Sequence, residues 1–238
     1  MPDFNFKPLL EYAEKNNIFL PENTIERLTL YGNLLLEWNE KINLTAIKDP
    51  DEIVVKHFID SLSLLKIISP KDGDSLIDVG TGAGFPGMVI KILRPKLNVT
   101  LLDGHAKRFI FLEDLQAKLG IKAENLHIRA ELAAKDIKYR EKFDFATARA
   151  VARLNTLSEY CLPFVKRGGK FVSMKGPTAE EELTEGKKAI EILGGENLSL
   201  IKENLPMDNT RFFITAEKGK KTPEKYPRAS AKISKNPL

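Results

Sequence analysis

Apolar residues recur along 24–39 at steps of three and four, at Ile25, Leu28, Tyr31, Leu35 and Trp38, which lays one apolar face along a helix. A second helix is predicted over 51–68, after Pro50, on Val54, Val55, Phe58, Ile59, Leu62 and Leu65. Two helices therefore precede the first strand. From residue 75 onward the period changes, and short apolar runs alternate with helical stretches. Strands are expected at 75–79, 98–102, 125–129, 143–148 and 170–174, with helices at 87–93, 106–119, 154–164 and 178–192. Residues 199–202 and 211–218 read as two closing strands, and Gly168-Gly169 and Gly194-Gly195 as turns. Strand and helix in alternation build a parallel sheet covered on both faces. The expectation is an α/β fold with a mostly parallel seven-stranded sheet and an N-terminal helical extension. Ligands of such sheets lie beyond the carboxyl ends of the strands, where the strand order reverses. That end gathers Asp78 and Gly80, Asp103, Ala130 and Glu131, Arg149, and Lys175 with Gly176.

The densest chemistry lies in SLIDVGTGAGFPG, from Ser75 to Gly87. Leu76, Ile77 and Val79 form a buried strand, and Gly80, Gly82 and Gly84 remove side chains that would keep a ligand off the backbone. Phe85 and Pro86 open a helix whose free amides favour polar or anionic groups. A dinucleotide site wants a third glycine three residues after the second, and Phe85 holds that place, which disfavours a dehydrogenase. The spacing GxGxG, with Asp78 two residues ahead, resembles the first motif of S-adenosylmethionine-dependent methyltransferases, which implies a Rossmann-like class I fold. The next apolar run, Val99–Leu102, ends in Asp103, placed for a carboxylate to accept hydrogen bonds from two ribose hydroxyls.

The chain has 238 residues, 42% of them hydrophobic, enough for one core with a small appendage. The lone Cys161 excludes an internal disulfide and a cysteine metal cluster, and reads as a core residue. His57, His105 and His127 lack metal-ligand spacing, so no metal is expected. No run is long and apolar enough to span a bilayer, and the N-terminal residues, with Asp3, Glu11 and Glu14, do not read as a signal, so a cytoplasmic protein is expected. The formal charge of +4 is unevenly spread. Residues 218–238 carry a net +6 and the remainder about −2. That basic, proline-containing tail is expected to be flexible or ordered only on binding, as a phosphate-contacting arm or as a solubilising tail. The division is then 1–70 helical extension, 71–217 catalytic domain, 218–238 tail.

The chain also resembles a particular family, the bacterial small-subunit rRNA guanine-N7 methyltransferases, also called glucose-inhibited division protein B. The resemblance rests on NLTAI from Asn43, HFIDSL from His57, IDVGTGAGFPG from Ile77, LLD from Leu101, KRFIFL from Lys107, RAE from Arg129, ARAVARL from Ala148, MKG from Met174 and TPEKYPR from Thr222. Only the closing AKISKNPL departs from the usual ending. The resemblance implies transfer of a methyl group from S-adenosylmethionine to N7 of a guanosine in the decoding-region loop of 16S rRNA. It assigns Gly80, Phe85, Ala130, Glu131 and Arg149 to the cofactor, to which the residue reading adds Gly82, Gly84 and Asp103. Partners would be 16S rRNA, the small ribosomal subunit or an assembly intermediate, met by a monomer away from membranes.

Guanine N7 carries a lone pair and no proton at neutral pH, so the reaction needs no general base and no enzyme nucleophile. Catalysis would come from alignment and electrostatics, and no catalytic residue is assigned. Arg149 remains open between holding a carboxylate, an RNA phosphate or the guanine edge, and a plain salt bridge to Glu131 or Asp103. His57 and Asp60, three apart on one helix, read equally as lining the substrate mouth or as a buried polar pair. Lys107, Arg108 and Lys175 at the strand-end rim, and Lys220, Lys221 and Arg228 in the tail, are the candidates for RNA contact. Two other functions stay open: methylation of another substrate, which salt-sensitive RNA binding would argue against, and a non-catalytic ribosome-associated RNA-binding module, which an intact cofactor pocket would argue against.

Overall fold

The computed structural model describes residues 2–238. Seven strands, β1 Ser75–Val79, β2 Asn98–Asp103, β3 Glu124–His127, β4 Phe143–Arg149, β5 Val165–Lys175, β6 Gly195–Leu205 and β7 Asn209–Lys218, form one sheet in the order β3-β2-β1-β4-β5-β7-β6. The β1–β5 pairings are parallel, and β7 runs antiparallel to both neighbours. The central strands are buried on both faces, which is why they read as continuous apolar runs. Leu76, Leu101, Val172 and Met174 point into one core, and Ile77, Val79, Leu102, Ala148 and Phe171 into the other.

The first core is covered by α1 Lys7–Lys15, α2 Thr24–Asn39, a composite helix over 50–66, α5 Gly87–Leu93 and α6 Ala106–Leu119. The composite helix starts at Asp49, whose Oδ1 accepts the Glu52 amide, with Pro50 in the first turn where its missing N–H costs nothing. It runs as α3 Pro50–Ile53, widens to a π-helical turn at Val54–Ile59, returns to α-helix as α4 Asp60–Leu62, and closes as a 3-10 turn at Ser63–Lys66. Sequence periodicity reads this as one regular helix, because a π turn inserts a residue without breaking the apolar run. The second core is covered by α7 Ala130–Ala133, α8 Leu154–Cys161 and α9 Ala179–Ile192, with α10 Ser230–Lys235 packed against α8.

Four expectations are corrected. Three helical elements, not two, precede β1, because α1 buries only Leu9, Tyr12 and Ala13, too short a stripe to stand out. The helix expected to reach 164 stops at Cys161 and continues as a 3-10 turn, since Pro163 has no N–H to extend the ladder. Gly168-Gly169 is not a turn between elements but lies inside β5, where the register against β4 slips between Phe143 and Phe145. The tail is packed rather than loose. Arg140 donates to the carbonyls of Thr222, Pro223 and Tyr226, the buried Lys218 ammonium donates to the Leu162 carbonyl, and Ile233 is fully buried. Among the described residues no helix is long and apolar enough to cross a membrane.

Candidate functional site

The strand order reverses between β2 and β4, on either side of β1, and a cavity of about 490 Å³ opens at that point. Val79, Gly80, Leu102 and Asp103 form its floor, Arg108 one side, Arg129, Ala130 and Glu131 another, and Ala150, Val151 and Tyr160 the third. Its size suits a nucleoside-sized ligand. Gly80 has φ +73°, and a Cβ there would lie 2.5 Å from Val151 Cγ2, so the loop after β4 closes down on the glycine turn. Ala150 holds φ +55°, an uncommon conformation for a residue with a side chain, at the cavity wall.

Asp103 is 2% exposed and its oxygens are already engaged. Oδ1 accepts the His105 amide at 2.9 Å, while Oδ2 accepts the Gly82 amide at 3.0 Å and Arg108 Nη1 at 2.7 Å. A diol could take the place of the half-exposed Arg108 without disturbing the backbone contacts, which hold the carboxylate in place. Behind the turn, Asp78 Oδ2 accepts Thr81 Oγ1 at 2.7 Å and the Gly87 amide at 2.8 Å, tying the glycine turn to the start of α5. Burial pushes the Asp78 carboxyl up to about 6. Glu131, nearly buried, pairs with Arg129 Nε at 2.8 Å. Two carboxylates, two guanidiniums, backbone amides of a glycine turn and the apolar faces of Val79, Leu102, Val151 and Tyr160 form a lining that fits a zwitterionic nucleoside.

A second constellation lies beside the cavity, where the sheet meets the composite helix. Arg149, at the end of β4, donates through Nη1 to Asp60 Oδ2 at 2.7 Å and to the Lys56 carbonyl at 3.1 Å, and its Nη2 lies 3.2 Å from His57 Nδ1. Arg211, on β7, donates to the same Asp60 through Nε at 2.5 Å and Nη2 at 2.9 Å. Asp60 is fully buried and bridges two guanidiniums. Because arginine has only donors, His57 Nδ1 must accept, which puts the ring proton on Nε2, 2.8 Å from Thr45 Oγ1. Burial and then the Arg149 charge lower His57 to about 3, so it is neutral throughout the physiological range. The His57 ring stacks on Phe85 at 4.6 Å, Phe85 stacks on Tyr31 at 5.0 Å, and the Arg149 guanidinium lies 5.2 Å from the Phe85 ring centre.

Of the sequence-derived residues, Gly80, Asp103, Ala130, Glu131 and Arg108 line the cavity. Gly82 reaches it through the Asp103 contact, while Gly84 packs beneath Tyr31, where a Cβ would come 2.6 Å from the hydroxyl. Phe85 and Arg149 stand outside the lining, in the neighbouring cluster. The open alternative of an Arg149 salt bridge to Glu131 or Asp103 is not what forms; its partner is Asp60. Three RNA-contact candidates pair with carboxylates of the chain itself. Lys175 is buried, its Nζ 2.6 Å from Glu182 Oε2 and from the Ala152 carbonyl, and holds the loop after β4 onto α9. Arg228 pairs with the fully buried Glu159, and the half-exposed Arg108 with Asp103. Lys220 and Lys221 are exposed, but they follow β7, whose antiparallel course ends at the end of the sheet away from the cavity, where the Gly194 carbonyl accepts the Lys220 amide. Lys107 is exposed at the start of α6, next to the cavity. Arg211, Ala150 and Tyr160 were not foreseen. Arg211 sits in an ordinary strand, and nothing local marks it.

A sheet of this order, with one antiparallel strand and a glycine turn facing an acidic strand end, is the class I S-adenosylmethionine-dependent methyltransferase fold. Solved structures with that fold include a SAM-dependent O-methyltransferase from Thermotoga maritima (TM-score 0.54, 18% identity, 79% of this chain and 72% of that one) and precorrin-6y C5,15-methyltransferase from Geobacter metallireducens (TM-score 0.51, 15% identity, 75% and 92%). Within the class, the chain belongs to the rRNA small subunit methyltransferase G (GidB) family, whose model matches residues 24–210. Relatives named ribosomal RNA small subunit methyltransferase G are 50% identical in Acetivibrio thermocellus, over 98% of this chain and 96% of the relative, and 48% identical in Lactobacillus helveticus, over 98% of each.

Proposed function

We propose that this chain transfers a methyl group from S-adenosylmethionine to N7 of a guanosine in 16S rRNA, with the cofactor in the cavity at the β1/β4 switch point. The observation that carries the reading is Asp103, fixed by two backbone amides at the cavity floor beside the Gly80–Gly82 turn. Bound there, S-adenosylmethionine supplies an electrophilic methyl group. Asp103 orients the ribose hydroxyls, Gly80 admits the ligand to the backbone, and Glu131 and Ala130 border the base. The glycine turn receives the amino-acid end. Arg149, Phe85 and His57 form a rigid wall on the acceptor side. No residue needs to remove a proton, since N7 has none to lose, and rate enhancement rests on holding acceptor and donor in line. The neutral, locked His57 suits a wall rather than a base. Cys161, fully buried and with its thiol pushed upward by burial, suits the core rather than a nucleophile.

The test incubates the protein with labelled S-adenosylmethionine and small ribosomal subunits from cells lacking this gene, followed by nucleoside mass spectrometry. Label in 7-methylguanosine from 16S rRNA is expected. Label in another nucleoside overturns the N7 assignment. No label with either subunits or naked rRNA, despite measured cofactor binding, overturns the rRNA substrate.

A further inference from the structure

We infer that the C-terminal segment from Tyr226 to Lys235 is a strap that positions the walls of the cofactor cavity, with Arg228 and Ser230 as positioning residues, rather than an arm for RNA. This rests on placing the cofactor in that cavity. After β7, which runs antiparallel to β5, the chain starts at the end of the sheet away from the cavity, is held there by Arg140, and then packs against α8 through Arg228 and α10. On the way it makes two contacts that lead into the cavity lining. Arg228 grips the fully buried Glu159 by its amide at 2.6 Å, by Nε at 3.0 Å and by Nη2 at 2.6 Å. Glu159 is the residue before Tyr160, which lines the cavity. Two residues later Ser230 Oγ receives Arg129 Nη2, and Arg129 pairs with Glu131; both line the cavity as well. Ile233, fully buried in α10, anchors the strap end where α10 packs against α8.

The contacts are spaced along the chain so that a single extended segment braces two walls: the α8 wall through Glu159 and Tyr160, and the α7 wall through Arg129 and Glu131. The charge that gave this stretch the look of a nucleic-acid arm is partly consumed in doing so. Coupling must also run in reverse, since a strap that stabilises the cofactor-binding arrangement is itself stabilised by the cofactor.

The experiment measures amide hydrogen exchange of the full chain with and without S-adenosylhomocysteine, together with calorimetric affinities for it and for small ribosomal subunits. Amides of residues 228–235 should exchange more slowly when the ligand is bound. Ser230→Ala, which leaves no buried charge behind, should weaken S-adenosylhomocysteine binding about threefold. The pair Glu159→Gln with Arg228→Gln should weaken it about tenfold, the scale on which outer-layer hydrogen-bond partners act on a site. Subunit affinity should stay within about twofold, against the steep, salt-dependent loss that follows removal of a phosphate contact. Unchanged exchange and unchanged ligand affinity overturn the strap, as does lost subunit affinity with ligand affinity intact. Asp103→Ala separates the two readings. If it also binds S-adenosylhomocysteine like the parent protein, the fault lies in the placement of the cofactor; if it alone loses binding, the strap is wrong and the cavity stands.

Discussion

The cavity and the Arg149 cluster flank the same strand end and are built in opposite ways. The cavity walls come from turns and strand ends, its floor is glycine backbone, and the one carboxylate at its base is held by the amides of Gly82 and His105, near neighbours in sequence or strand order. The cluster has no comparable opening. It is made of Arg149 and Arg211, 89 and 151 residues along the chain from the Asp60 on which they converge, with His57, Phe85 and Tyr31 stacked beside them. One region is prepared to exchange partners, since Arg108 can release Asp103. The other is locked, and its job is to join the N-terminal helices to the sheet. A site that must admit a small ligand repeatedly while presenting a fixed surface to a large one gains from keeping these two properties on separate residues.

The most severe way to break this division is Asp60→Ala. It leaves two guanidiniums side by side with no carboxylate, and a loss of about 3–5 kcal/mol of folding stability is expected, as for breaking a buried ion pair. Urea unfolding measures it, and a loss below about 1 kcal/mol would show that the cluster is not the latch. Asp103→Ala should cost less stability and act mainly on the ligand, raising the S-adenosylmethionine dissociation constant about 10- to 100-fold, from loss of hydrogen bonds to a charged acceptor worth about 1.5–3 kcal/mol. Equilibrium binding checks it.

Per pH unit, the smallest effect is that of acidification. The folded His57 titrates near 3 and an unfolded one near 6.5, so on acidification the unfolded chain takes up the proton first. The neutral ring therefore contributes stability that is present above about pH 6.5 and lost as pH falls toward 3. Asp78 acts with the opposite sign. Its folded value, raised to about 6, makes the folded chain hold a proton that the unfolded one has released, so its contribution is present below about pH 3.8 and lost as pH rises through 6. The two slopes oppose each other between pH 4 and 6. Replacing His57→Gln removes one of them, and the stability difference between parent and variant should change by about 1.4 kcal/mol per pH unit below 6.5, in favour of the variant as pH falls. Parallel curves from the two proteins would mean that His57 is charged in the folded state.

What the sequence made legible follows the same division. The sheet, its seven strands and the helices at 87–93 and 106–119 came from patterns that act within ten or fifteen residues, and so did Gly80 and Asp103 as features of strand ends. The partners of Lys175 and Arg228 were not legible, because a basic residue at a strand end or in a charged tail shows its charge but not its partner. Glu182 and Glu159 lie on helices that only the folded chain brings near. Arg211 and Tyr160 were missed for the same reason: one looks like any strand residue and the other like any residue of an amphipathic helix.

The π-helical turn at Val54–Ile59 sets the phase of everything after it. A π turn holds one residue more than an α turn, so excising one residue from it would let the segment relax into regular α-helix with Asp60 still facing both arginines, whereas one inserted residue, at about 100° per residue, would swing Asp60 roughly a quarter-turn away. The deletion would improve the hydrogen-bond ladder, and the insertion would unfasten the N-terminal layer from the sheet. This stretch of chain is thus one where length is specified as closely as composition: it should accept one deletion and conservative apolar substitutions, but no insertion.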